Sequence, residues 1–357
     1  MSPKGVLVLA TLTLGAVALA AHAVMRRDLP ITSVAVDEPL LPGLAERLGD
    51  VTTIEVVAEG RKATVRRIER GWVVEELDGF PVDPAKVQSL ARSLVTARLL
   101  EPKTDRPERW ARLELDAGQN EKSRARSVVL ADAQGREIAS VVVGKTRYGA
   151  FGPGRGAVYV RRGDEPRAWL ADRRIEVPAE PLDWVDRQIL DIPREAIASV
   201  TLRPGTAEEV VIAKPSRDAQ ELVLDQVPTG RAADKDKLDR LAGTLSGLSL
   251  QDVRAAGEVP FAPDAPRARF ATVDGVVVEA VVHKEGEGDD ASFWVRFAAQ
   301  VGEPLPGEPA EGAKPATEQV AQLAPRLDGW AFKLSRWWGE RLVWTRDDLL
   351  QPADKTS

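Results

Sequence analysis

Three places in this sequence carry residue types that could do chemistry. The first is "VVVGKTRYGAFGPGRGAVYVRR", Val141 to Arg162, where Gly144-Lys145-Thr146 follows an apolar run as it would in a phosphate-binding loop. Such a loop needs G-x-x-x-x-G-K-[ST] between a strand and a helix, so that glycine amides and a helix N-terminus face the phosphates. The first glycine would fall at 139, which is Ala, and the residues after Thr146 are glycine-rich before alternating as "AVYVRR". The stretch therefore reads as an antiparallel hairpin, with Gly149, Gly152, Gly154 and Gly156 supplying its positive-φ positions. Neither a nucleotide partner nor a cofactor is expected.

The second place is His283 with the acidic "HKEGEGDD" that it opens. Only two histidines exist, and His22 sits in an apolar run, so no metal pair is spelled out. No G-x-S-x-G nucleophile is present for His283 to serve. Glu285, Glu287, Asp289 and Asp290 lack EF-hand spacing and read as a solvated hairpin tip. Asp347-Asp348 are merely adjacent, which gives no reason for a raised-pKa acid. The absence of cysteine excludes thiol nucleophiles, thiolate metal sites and disulfides. No catalytic, cofactor-binding or metal residue is assigned, and the chain is not expected to be an enzyme. The third place is the C-terminal segment, where Trp330, Trp337, Trp338 and Trp344 crowd together with Phe332. Such a cluster either seals a core or stacks a sugar or a protein partner. Trp337 and Trp338 cannot both point inward on one strand, so one of them should be exposed.

The elements that must hold these residues follow from pattern. The chain has 357 residues, 29% of them charged, and a net charge of −6 with Arg and Glu interspersed. Those values describe a globular protein with room for two domains, and no linear basic stripe favours nucleic acid. Residues 5–24, "GVLVLATLTLGAVALAAHAV", carry no charge and could span a bilayer core of roughly 30 Å. An uncleaved anchor within residues 1–27 is the leading reading; Ala21-His22-Ala23 offers a signal cleavage site as the other. Both place residues 28–357 on the extracytoplasmic, periplasmic side of the cytoplasmic membrane. Residues 28–50, with three prolines, read as a stalk.

From residue 51 strand-like alternation begins, then "DPAKVQSLARSL" changes to helical period, with Asp83 as N-cap, Pro84 first in the helix, and Val87, Leu90 and Leu94 on one face. The same order returns in the second half: "DKDKLDRLAGTL" places Asp234, Leu238, Leu241 and Leu245 in matching phase. The expected fold is α+β: two tandem related modules, 51–192 and 193–350, each of antiparallel sheet with one main amphipathic helix, after an N-terminal transmembrane helix. A disordered insertion is expected at about 301–322 and a polar tail at 351–357.

The order "GWVVEELDGFPVDPAKVQSLARSLVTARLLE", "ERWARLELD", "VVVGKTRYGAFGPGRGAVYVRR", "AWLAD" resembles the bacterial domain of unknown function 4340 family. Trp72, Pro81, Asp83, Leu115, Asp116, Gly144, Tyr159 and Arg161 fit that family's places, and Glu114 stands where its short link usually has glycine. The resemblance implies an N-terminal membrane helix and an auxiliary, non-ATPase role beside ABC-type export systems related to gliding motility. It implies no catalytic residue. The expected function is therefore binding or scaffolding beside membrane partners, through Tyr148, Tyr159, Arg161 and Trp337 as candidate contact residues. The alternative is a cell-envelope glycan-binding protein or hydrolase that uses the C-terminal tryptophans.

Overall fold

Period-two stretches put alternate side chains on opposite faces and period-3.6 stretches put them on one stripe, and the elements form accordingly. The computed structural model describes residues 37–117, 123–149, 156–163, 165–309 and 312–352. The expected anchor Gly5–Val24, the hairpin residues Gly152 and Gly154, and most of the tail lie outside the described residues.

The described chain opens with β1 (Glu38–Pro39) and the short helix α1 (Leu44–Arg47), then β2 (Thr53–Ala58), β3 (Arg61–Ile68), β4 (Gly71–Val74) and β5 (Phe80–Pro81). The longest helix, α2 (Pro84–Thr96), leads to β6 (Arg98–Pro102), β7 (Arg126–Ala131), β8 (Glu137–Arg147), β9 (Ala157–Arg162) and β10 (Ala168–Ala171). Next come β11 (Gln188–Leu190), β12 (Ile197–Leu202), β13 (Val210–Ala213), β14 (Val223–Leu224), α3 (Lys235–Ala242), β15 (Leu248–Ser249) and β16 (Asp252–Ala255). The remainder is β17 (Arg267–Thr272), β18 (Val276–Glu285), β19 (Ser292–Val301), α4 (Ala316–Leu327), β20 (Trp330–Leu334) and α5 (Arg336–Leu342). The fold is mixed α+β, with extensive antiparallel sheet and few helices. Among the described residues no helix is long and apolar enough to cross a membrane.

The described residues divide into two compact units. One comprises those up to Val51, with Val57–Gly60 and Ser89–Val177; the other comprises Thr52–Val56, Arg61–Gln88 and the chain from Pro178 onward. In the first unit the strand order is β1-β6-β10-β9-β8-β7. Leu99, Val128, Val141, Val158 and Val160 are buried on one side of it, and Val142 and Leu170 on the other. In the second unit β3, β4 and β5 form a meander, β11 pairs with β15, and a larger sheet runs β14-β13-β12-β17-β18-β19-β20-β16. The register puts Val200, Phe270 and Val278 on one side of that sheet together with Val295 and Phe332, all fully buried.

Both expected helices form where their caps are. Pro84 is the first residue of α2, Asp83 Oδ1 accepts from the Ala85 amide at 2.9 Å, and Val87, Leu90 and Leu94 are buried. Asp234 Oδ1 accepts from the Lys237 amide at 3.2 Å to cap α3, whose Leu238 and Leu241 are buried.

Two expectations are corrected. The segment expected to be disordered at about 301–322 contains regular elements at both ends: β19 reaches Val301, and Ala316 begins α4. The Pro and Gly density stops at Pro315, after which Val320, Leu323 and Leu327 recur at helical spacing and Leu327 is buried. Trp337 and Trp338 lie on helix α5, not on a strand. The expectation of one exposed indole holds, since Trp337 is 52% exposed and Trp338 is half-buried.

Candidate functional site

The marked residues of the hairpin and the Leu-Asp link come together in the first unit. A 3-10 helix, Pro107–Leu113, ends on Glu114, which takes the left-handed conformation at φ 56°. Glycine adopts that conformation without strain, and the turn forms here with glutamate at some cost. The turn sends Leu115 inward, where it is fully buried with Trp110, Ala125, Val142 and Ala168. Gly144 lies directly beneath the link, because a Cβ on it would stand 2.3 Å from the Leu113 carbonyl oxygen. The ladder between β8 and β9 shifts register between Val143 and Thr146, so Gly144-Lys145 forms an irregularity inside a hairpin. The Gly-Lys-Thr sequence is thus part of antiparallel sheet, followed by β9 and not by a helix.

Tyr159 is half-buried against the same cluster. Arg161, expected on a contact surface, is buried. Its guanidinium lies 4.2 Å from the centroid of the Trp110 ring, and its Nη1 donates to the carbonyls of Gly163 and Glu165. Trp110 Nε1 donates to the Pro166 carbonyl at 3.2 Å, which closes the arrangement. Asp116 is buried as well, accepting from Ser123 Oγ at 2.7 Å. These residues hold a turn against a hairpin. Tyr148 differs: it is 76% exposed, with the Arg174 guanidinium 6.0 Å from its ring.

In the second unit the exposed aromatic feature is on α5. Gly339 and Leu342 are its buried side, and Gly339 is pressed so close to β19 that a Cβ would stand 2.2 Å from Phe293 Cγ. The opposite side carries Trp337, stacked on Trp338 with ring centroids 4.6 Å apart, and the Arg341 guanidinium lies 4.4 Å from the Trp337 centroid. Arg341 Nη1 donates to the Arg240 carbonyl at 3.1 Å. Burial, and then the charge of Arg240, lower the pKa of Arg341 below the usual arginine value. Arg336 and Glu340 pair along the same helix at 2.6 Å. Sequence reasoning singled out Trp337 but missed Arg341. The signal was there, since Trp337 and Arg341 are four residues apart, a helical spacing masked by the reading of this segment as a strand.

The other C-terminal tryptophans go elsewhere. Trp330 is half-buried, edge-to-face with Phe80 at 4.9 Å. Trp344 is half-buried, and its carbonyl accepts from Arg203 Nη1. His283 is half-buried on β18, with the Phe261 ring 6.2 Å away. The acidic segment after it is the tip between β18 and β19, where Gly286 and Gly288 have positive φ. Among the described residues no group of three or more His, Asp or Glu is placed to hold a metal ion.

The architecture defines a class, mixed α+β proteins of large antiparallel sheets, and in this chain Gly144, Trp110, Tyr159 and Arg161 build contacts between turn and hairpin. Within that class the chain belongs to the family described as Domain of unknown function (DUF4340), whose model matches residues 72–266, more than half of the chain. No curated protein and no solved structure matches it.

Proposed function

We propose that this chain is a non-catalytic, membrane-anchored binding or scaffold protein of the extracytoplasmic side, an accessory subunit of an ABC-type export or gliding-motility-like system. In this reading Gly5–Val24 is a single transmembrane helix, and residues 51–192 and 193–350 are related modules. The observation that carries it is the exposed Trp337, braced by contacts with Trp338 and Arg341. An exposed indole held rigid by its neighbours loses little entropy on binding, and Trp and Arg are the residue types that dominate protein interfaces. The same bracing weakens the glycan reading. A near-parallel ring at 4.6 Å and a guanidinium at 4.4 Å compete with a sugar for the Trp337 ring.

The test is affinity capture of the full-length protein from membrane extracts, with mass spectrometry of what is retained, beside Trp337→Ala. Retention of an ABC permease or ATPase subunit, reduced tenfold or more by the substitution, is the expected result, since removing a hot-spot residue costs about 2 kcal/mol or more. Retention of cell-wall glycan alone would replace the scaffold reading with the glycan one. Unchanged capture of a permease would remove Trp337 from the interface.

A further inference from the structure

The larger sheet of the second unit has a second face, opposite the buried one, and its register gathers cations that are far apart in sequence. Trp294 on β19 stands opposite His283 and Lys333, and Lys333 stands opposite Asp252. Two residues further along each strand, on the same side of the pleat, come Arg296, Val281 and Arg254. Val281 pairs with Arg267 on β17, and two residues beyond Arg267 is Arg269, which pairs with Glu279. Arg254, Arg267, Arg269, Arg296 and Lys333 therefore share one face, and the four arginines are exposed. Among the described residues none of the five makes an ion pair.

Three of them lie over rings. The Arg254 guanidinium is 4.6 Å and the Lys333 ammonium 5.9 Å from the centroid of buried Trp294, while the Arg296 guanidinium is 5.3 Å from the Phe261 ring. Three carboxylates share the face and offset part of its charge. Glu285 Oε2 accepts from Trp294 Nε1 at 3.3 Å, Glu279 Oε1 from Gln300 Nε2 at 3.0 Å, and Asp252 Oδ1 from the Val253 amide at 2.9 Å. Glu76, Asp78 and Glu258 line a hollow beside Arg254, and Glu208 and Asp264 line one beside Arg267, so the patch is most positive around Arg269, Arg296 and Lys333. On a chain whose net charge is −6, this face carries five cations against three carboxylates.

We propose that this face docks on the anionic phospholipid surface of a bilayer. Neighbouring strands lie about 4.8 Å apart and same-side residues about 7 Å apart along a strand, so the cations form a two-dimensional array. Its apolar members, Trp294, Val281 and Ala331, are buried. The cations are spread over four strands and not along one line, which suits a surface of phosphate headgroups better than a single nucleic acid strand. The docking stands apart from the accessory-subunit reading, and only the delivery of this face to a membrane depends on the anchor.

The chain has no cysteine, so Ala298→Cys, on the exposed side of β19, places one fluorophore within the array. The labelled full-length protein is reconstituted into phosphatidylcholine vesicles, with or without phosphatidylglycerol, that carry a headgroup quencher. Quenching should be stronger with phosphatidylglycerol and relieved by raised salt. In the Arg267→Gln, Arg269→Gln, Arg296→Gln triple variant the docked-to-free ratio should fall roughly fivefold per charge removed. Lysine at the same three positions should restore it, which separates lost charge from lost folding. Equal quenching in both kinds of vesicle would overturn the proposal, as would quenching that survives the glutamine triple. So would a response to soluble polyglutamate or an oligonucleotide with none to phosphatidylglycerol.

Discussion

Asp172 shows how single residues in the first unit are tied down. Its Oδ1 accepts from the Arg98 amide at 2.9 Å and from Arg173 Nε at 3.0 Å, and its Oδ2 accepts from Arg173 Nη2 at 2.9 Å. Arg173 also donates from Nη1 to Thr96 Oγ1 at 2.7 Å, so the carboxylate joins the end of α2 to β6 and β10. Burial raises the Asp172 pKa, but the hydrogen bonds from Arg173 and from the Arg98 amide outweigh it and hold the pKa below the usual aspartate value. A depressed folded-state pKa stabilises the protein above the unfolded value, about 3.9, and that stability is lost as the pH falls through the folded value. Asp172→Asn keeps one acceptor and loses the charge-assisted pair with a partly exposed arginine, so it should lower stability by about 1 kcal/mol at neutral pH. Urea unfolding of both proteins at neutral and at strongly acidic pH checks this. The gap should close in acid, and a gap of constant size would assign the loss to packing.

At the scale of elements, helix α5 depends on one glycine. A Cβ at Gly339 would stand 2.2 Å from Phe293 Cγ and 2.4 Å from its Cβ, and Phe293 is itself buried on β19. Gly339→Ala should raise helix propensity by roughly 1 kcal/mol, yet overpacking costs about 1–3 kcal/mol and α5 must also lift off the sheet. The net effect should be destabilising, and Gly257→Ala, whose added carbon meets nothing within 4 Å, is the matched control. Thermal unfolding of the two variants decides it: equal midpoints would mean that α5 yields without strain. The elements were legible in the sequence where pattern and cap agree, as with Asp83-Pro84 before α2 and Asp234 before α3. The hairpin of β8 and β9 was legible from the misplaced glycines of a failed phosphate loop. Helix α5 was not, because "SRWWGERL" carries two bulky aromatics in its first turn and a glycine after them, and packing against Phe293 overrides that weak local preference. Nor was the internal role of Arg161, since a sequence does not say that an arginine on a strand will lie on the Trp110 ring. The cationic face was invisible for a further reason. Its five members are spread from residue 254 to 333 on four strands, and only pairing and register bring them together.

At the scale of the whole molecule, the proposed scaffold and the proposed lipid-facing array both have their natural setting at a membrane surface. The element that would put the protein there is the uncharged run Gly5–Val24. Twenty residues of helix match a bilayer core of about 30 Å, whereas a secretory signal usually needs only about 7–15 apolar residues. The two readings of the run diverge in mass. An anchor leaves the N-terminus in place, and cleavage after Ala23 removes it. The expected outcome is that full-length protein expressed in a bacterial host stays in the membrane pellet after an alkaline carbonate wash, and that its intact mass includes residues 1–23. A protein found in the periplasmic fraction and lighter by that segment would instead be a processed, soluble one. In that case the cationic face alone would have to supply membrane contact, and the wash should release the protein in proportion to salt, because headgroup electrostatics is screened over about 10 Å at 0.1 M ionic strength while a buried helix is indifferent to it.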